Sequence, residues 1–142
     1  MPAEKIKSAI EHYIPSDNRS QMINQESNVI FLDAYNANPS SMVPAIQNFA
    51  KMKNENKVLL LGAMAELGDD SLREHQLIID LINQYKWKEV VLVGGDFMNI
   101  NHPYLKFETV QQAKNWFSNQ KFHHSCFLIK GSRGIRMEEI VE

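Results

Sequence analysis

Short runs of unbroken apolar residues alternate along this chain with longer stretches in which apolar side chains return at every third or fourth position. The short runs predict strands at residues 28–33, 57–62, 89–94 and 125–130. Three of them contain Val-Leu-Leu-Leu, Val-Val-Leu-Val and Cys-Phe-Leu-Ile, with no polar break. Strands of that kind are buried on both faces, as in the middle of a parallel sheet. With helices predicted between them, the order of elements gives an α/β fold: a Rossmann-like open, mostly parallel sheet with helices on both faces.

The helix starts can be placed from local chemistry. Asn38 precedes Pro39, an N-cap followed by a proline at the first helical position, and Met42, Ala45, Ile46 and Phe49 then share one face. Ser71 and Glu74 spell a capping box that predicts a helix to about residue 85, burying Leu72, Ile78, Ile79 and Ile82. Thr109 and Gln112 spell a second box, opening a helix that buries Val110, Ala113, Trp116 and Phe117. A last helix is predicted over residues 135–141. Residues 96–107 read as a loop with a short edge strand near Leu105. At the start, Ile6, Ala9, Ile10 and Tyr13 form a helical face that Pro15 ends. Residues 1–18 therefore read as a lead-in from something upstream and 19–142 as the domain, with a short strand near 20–24.

A chain of 142 residues suits one compact domain. Its 44% apolar and 23% charged residues are ordinary for a globular protein. No apolar run approaches the ~20 residues of a membrane span, and the first residues carry no secretory signal, so a cytoplasmic location is expected. Fifteen basic against 17 acidic residues give a net charge of −2 without a basic block, which argues against nucleic acid as a partner. The single cysteine, Cys126, excludes an intrachain disulfide and reads as a buried strand residue. His123 and His124 are adjacent; strand neighbours point to opposite faces, so they make a poor metal pair. No metal ligand is expected in this domain.

In open α/β sheets ligands bind beyond the carboxyl ends of the strands, and here those ends are polar and specific. The first strand runs into Asp33-Ala34-Tyr35-Asn36-Ala37-Asn38-Pro39, the second into Gly62-Ala63-Met64-Ala65-Glu66-Leu67-Gly68, and the last into Lys130-Gly131-Ser132-Arg133-Gly134. Asp33 is suited to accept hydrogen bonds from sugar hydroxyls, or to organise its turn. Asn36 and Asn38 stand at a helix N-terminus, where a phosphate or a base edge could be met; for Asn38 the cap role is the stronger. Lys130, Ser132 and Arg133 bring two charges and a hydroxyl to a glycine-flanked loop that fits capture of a carboxylate, or a structural turn. Glu66 and Asp69 could orient an ammonium or belong to a solvated acidic loop. His75 reads as a packed, hydrogen-bonded helix residue. Gly94-Gly95 is too little of a dinucleotide fingerprint to carry weight.

The segments D-A-Y-N-A-N-P-S-S-M, L-G-A-M-A-E-L-G with a following His, and K-G-S-R-G-I-R-M-E stand in the order and context of the Mur ligase C-terminal domain. The chain resembles in particular the branch that adds D-alanyl-D-alanine, over residues 14–142. Asn-Ala-Asn-Pro and Lys-Gly-Ser-Arg separate that branch from relatives with Ala-His-x-Pro or Lys-Gly-His-Glu. Two features depart from the family: Ala63 stands where a polar or acidic residue is frequent, and no G-x-x-x-x-G-K-[ST] phosphate loop is present.

The resemblance implies an ATP-dependent, amide-forming ligase of peptidoglycan precursor synthesis, with an N-terminal uridine-nucleotide domain and a central ATPase domain upstream. Its ligands would be ATP with Mg2+, UDP-N-acetylmuramoyl-tripeptide and D-alanyl-D-alanine. By the same resemblance Asp33 holds the ATP ribose, with Arg19, Tyr35, Asn36 and Asn38 near the nucleotide. Lys130, Ser132, Arg133 and Glu66 meet the incoming dipeptide. No residue here is expected to be catalytic, and the chain alone is expected to be inactive. For Arg19 a surface arginine, and for Tyr35 packing on the sheet, are the alternatives. At the level of the whole chain the alternatives are a stand-alone nucleotide- or peptide-binding module, and the same domain from a folylpolyglutamate- or cyanophycin-type ligase.

Overall fold

The computed structural model describes residues 21–34, 37–53 and 56–141. The lead-in over 1–18 and the candidates Arg19, Tyr35 and Asn36 lie outside them. The described chain forms β1 (Gln21–Gln25), β2 (Asn28–Asp33), α1 (Pro39–Ala50), β3 (Lys57–Gly62), α2 (Ser71–Ile82), β4 (Glu89–Val93), β5 (Leu105–Phe107), α3 (Val110–Ser118) and β6 (Cys126–Lys130). Short 3-10 turns occupy Gly68–Asp70, Gly95–Asn99 and Met137–Val141.

The six strands lie in the order β1-β2-β6-β3-β4-β5. Only the edge pair β1 and β2 is antiparallel; every other pairing is parallel. The last strand is therefore inserted at the centre, with Ile30 beside Phe127 on one side and Val58 beside Phe127 on the other. This placement puts the loop after β6 between the loops after β2 and β3.

Alternation along the central strands sends successive side chains to opposite faces. Leu59, Leu61 and Leu128 pack with Met42, Ile46 and Phe49 of α1 and Ile78, Ile79 and Ile82 of α2. Val58, Leu60, Phe127 and Ile129 pack on the other face with Ala113 of α3 and with Met137 and Ile140 of the last turn. Burial on both faces is why these strands carry no polar break. Cys126 is buried at the start of β6, as its apolar neighbours predict.

Two helix starts follow their sequence signals. Asn38 Oδ1 accepts from Ser41 N–H at 3.0 Å, while Ser41 Oγ accepts from Asn38 N–H at 3.1 Å. Thr109 Oγ1 accepts from Gln112 N–H at 3.3 Å, and Gln112 Oε1 answers on Thr109 N–H. The box predicted at Ser71 does not form. The turn Gly68–Asp70 feeds straight into α2, so Ser71 N–H already bonds Gly68 O and Ser71 is the first helical residue. Its hydroxyl instead serves the Asp96 carboxylate. Leu72, expected inside, is 49% exposed in the helix's first turn, and His75 and Leu81 take buried places. The last helix is a 3-10 turn beginning at Met137 rather than an α-helix from 135. Arg136 at φ 64° breaks the chain just before it.

Candidate functional site

Parallel packing brings the loops after β2, β3 and β6 to one rim. There Ala37, Asn38, Ala65, Glu66, Leu67, Ser132, Arg133 and Gly134 line a cleft of about 410 Å³. Four sequence-predicted residues thus meet in one concavity: Asn38, Glu66, Ser132 and Arg133. Asp33 and Lys130 are register partners at the ends of β2 and β6 and do not line this cleft; Asp33 opens instead onto a concavity with Phe31, Phe49 and Leu128.

Their juxtaposition makes an ion pair, with Lys130 Nζ 2.7 Å from Asp33 Oδ2. The lysine is 2% exposed and the aspartate 25%. Lys130 is therefore committed to the sheet's interior, while Asp33 stays reachable from solvent. A carboxylate fixed in place by a buried ammonium is well suited to accept hydrogen bonds from a hydroxylated ligand.

Asn38 uses its Oδ1 to cap α1, accepting also from Ser40 Oγ at 2.7 Å. The cap takes Ser41 N–H, and Pro39 has no N–H to offer, so little of the helix's first turn remains for an anion. The Nδ2 hydrogens of Asn38 take no part in the cap. They are the portion of this residue suited to a ligand in the cleft.

Glu66 is exposed at φ 61°, a left-handed conformation that costs a non-glycine residue roughly 1 kcal/mol. It enters the cleft from a loop whose deeper residues are pinned. Ala63 N–H bonds Val93 O at 2.9 Å, and Ala63 C=O accepts from Ser132 N–H at 3.2 Å. Ala63, 2% exposed, is packed so closely beneath Gly95 that a Cβ there would lie 2.4 Å from its methyl. Gly94 and Gly95, both at positive φ, thus serve a tight turn and close packing against Ala63.

Ser132 is 6% exposed and Arg133 exposed, so the loop pairs a positioned hydroxyl with an accessible guanidinium. Gly131 allows this approach, because a Cβ there would stand 2.6 Å from Met137 Cγ. Asp69 is exposed in the turn before α2 and does not line the cleft. His123 and His124 are exposed ahead of β6.

His75 is the packed, hydrogen-bonded helix residue that the sequence suggests, and it lies beneath the cleft's loops rather than in its lining. It is fully buried, accepting Met64 N–H on Nε2 at 2.9 Å and donating from Nδ1 to Ser71 O at 2.7 Å. The Phe97 ring packs against it at 4.7 Å between centroids, nearly perpendicular. Nearby, the Ser71 hydroxyl and then the Asn99 amide hold the Asp96 carboxyl below its usual range.

An open, mostly parallel sheet with three polar loops gathered at its carboxyl edge makes this an α/β domain of the kind that binds ligands at that edge. The chain belongs to the Mur ligase family: residues 18–133 match the family described as "Mur ligase, glutamate ligase domain". A UDP-N-acetylmuramoyl-tripeptide–D-alanyl-D-alanine ligase of Buchnera aphidicola is 32% identical over 150 residues, covering 100% of this chain and 32% of that one. The protein of the same name from Escherichia coli is 32% identical over 123 residues, covering 82% and 26%. The chain thus spans about a third of the length of such relatives. Among solved structures, MurF from Acinetobacter baumannii superposes with a TM-score of 0.75 at 27% identity, over 99% of this chain and 32% of that one. MurF from Thermotoga maritima, solved with ADP, superposes at 0.74 with 22% identity over 87% and 29%, and supports the fold.

Among the described residues no helix is long and apolar enough to cross a membrane.

Proposed function

We propose that this chain is the C-terminal domain of a ligase that joins D-alanyl-D-alanine to UDP-N-acetylmuramoyl-tripeptide in the cytoplasm, at the expense of ATP. The observation that carries the reading is the single cleft formed by Asn38, Glu66, Ser132 and Arg133, in a chain whose relatives bear that ligase's name. Residues 19–142 are the domain in this proposal and 1–18 its lead-in from the ATPase domain.

In such a ligase the γ-phosphoryl group of ATP passes to the tripeptide's free carboxylate. The dipeptide amine then attacks the acyl phosphate, releasing phosphate and leaving ADP and the new amide. This domain's task is to align the amine and to exclude water as it closes on the central domain. Arg133 and Ser132 hold the dipeptide carboxylate, and Glu66 faces its ammonium. Lys130 supports this loop from the interior and holds Asp33, which takes the ATP ribose. Asn38, with Arg19, Tyr35 and Asn36 by resemblance, completes the nucleotide side. Mg2+ would accompany the nucleotide, and the proposal assigns it no ligand from this domain.

The test is a ligase assay with ATP, UDP-N-acetylmuramoyl-tripeptide and D-alanyl-D-alanine, on the chain alone and recombined with the upstream domains of a Mur ligase. Amide formation only on recombination is expected. Activity of the chain alone would overturn the division of labour. A folded, assembled complex with no activity would point to a binding module.

A further inference from the structure

One peptide group under the cleft is held at both ends. The carbonyl of Ala63 accepts from Ser132 N–H at 3.2 Å, and the N–H on the same peptide, that of Met64, is donated to His75 Nε2 at 2.9 Å. His75 in turn is fixed by its Nδ1–H on Ser71 O at 2.7 Å. A backbone carbonyl can only accept, so the proton sits on Nδ1 and the lone pair on Nε2 faces Met64. The imidazole is fully buried and packed nearly perpendicular to the Phe97 ring, and its two hydrogen bonds fix its orientation.

We propose that His75 is a positioning residue for dipeptide capture, acting through the Ala63–Met64 peptide on Ser132 and the Lys-Gly-Ser-Arg loop. Three features carry this. The peptide plane cannot rotate without breaking the bond at one end or the other. Ala63 is fenced from the side by Gly95 and by its own bond to Val93 O, so the relay has little slack. Both ends lead into cleft lining: Ala65, Glu66 and Leu67 follow Met64 directly, and Arg133 and Gly134 follow Ser132. One histidine thus sets the two walls that the proposal above assigns to the dipeptide's ammonium and carboxylate. Hydrogen bonds in a buried chain polarise one another, so loss of the first weakens the second. The inference rests on that assignment of the cleft.

The substitutions separate the bond from the packing. His75→Leu fills the space but offers no acceptor. His75→Asn reaches only the Nδ1 position, whereas His75→Gln carries a carbonyl oxygen to about the position of Nε2. Amide resonances of Met64 and Ser132 in the chain, and KM for D-alanyl-D-alanine and for ATP in the recombined ligase, are the readouts. In Leu and Asn variants that keep the wild-type fold, both resonances should move. Dipeptide KM should rise about tenfold while ATP KM stays within about twofold. Gln should restore dipeptide KM to within about threefold.

If a folded His75→Asn leaves the Ser132 resonance in place, the relay is wrong. If the resonance moves and dipeptide KM does not, or both KM values rise together, the positioning role is wrong. Should His75→Leu fail to fold, the Gln and Asn pair still decides. A wild-type complex that releases no ADP in response to the dipeptide would sink the proposed function instead, and the Ser132 resonance would still judge the relay.

Discussion

Deleting the Asp33 carboxylate should cost the domain more than deleting the Lys130 ammonium it faces. The two atoms are 2.7 Å apart, and the side chains are 25% and 2% exposed. Asp33→Ala leaves an ammonium that water can scarcely reach, and breaking a buried pair in this way costs about 3–5 kcal/mol. Asp33 is itself partly hydrated and Lys130 has further contacts, so the expectation sits at the low end, about 3 kcal/mol. Lys130→Met removes the more buried ion and keeps most of its stem's packing, while the carboxylate left behind can hydrate. That change should cost about 1 kcal/mol. Urea unfolding followed by circular dichroism reads both: with an m-value of about 2 kcal/mol/M, the midpoint falls by about 1.5 M and about 0.5 M respectively. Asp33→Asn, which keeps an acceptor, should fall between them. A midpoint shift for Lys130→Met equal to or larger than that for Asp33→Ala would refute the reasoning from exposure.

Other consequences are local to single contacts. Gly131→Ala places a methyl 2.6 Å from Met137 Cγ and 3.0 Å from Gly62 Cα, and should destabilise by about 1–3 kcal/mol. Adding Met137→Ala should not restore the lost midpoint, because the Gly62 backbone remains and the core loses the Met137 side chain. Asn38→Ala removes the cap of α1 and should lower stability by about 1 kcal/mol in thermal unfolding, whereas Asn38→Asp should keep most of it. Burial pushes His102 below its ordinary value of 6.5, and its Nδ1 accepts Tyr104 N–H at 3.2 Å. The unfolded chain therefore takes up this proton first, so stability is full above 6.5 and falls as pH drops below it. Asp96, held below 3.8 by Ser71 and Asn99, adds a second loss only below 3.8. Urea midpoints between about pH 7.5 and 3 should show both, and His102→Gln should flatten the upper one.

What could be read from the sequence were the features that depend on neighbours in the chain. The bounds of β2 and β3 follow from where the apolar runs start and stop, and the caps at Asn38 and Thr109 close on residues three positions on. The box at Ser71 failed because the turn before it makes Ser71 the first helical residue, and its hydroxyl acts on Asp96, from another turn. The pairing of Asp33 with Lys130 was beyond reach for the same reason. It exists because the last strand enters the sheet beside the second, and no local pattern fixes that register. The cleft itself was foreseen in outline, since strand ends in an open sheet share an edge. The packed, hydrogen-bonded place of His75 was legible too, but not its partners, Met64 N–H and Ser71 O, because the first comes from another loop.

Exposure also sorts the candidates by how they can act. Glu66 and Arg133 reach solvent from the cleft, so a small zwitterion can meet both charges directly. Lys130 and the Oδ1 of Asn38 are already used by the protein, and their contribution is to fix what stands beside them. Asp33 belongs to both groups. Lys130 donates to its Oδ2, so the buried lysine orients the carboxylate and turns its other oxygen toward any ligand that reaches it. In the proposed ligase the nucleotide side of this domain would be a carboxylate fixed by a strand register. Its dipeptide side would be loop groups fixed by main-chain bonds through Ala63 and Ser132. Both arrangements exist before any ligand arrives, so closure onto an upstream domain would need to order little of this half of the site.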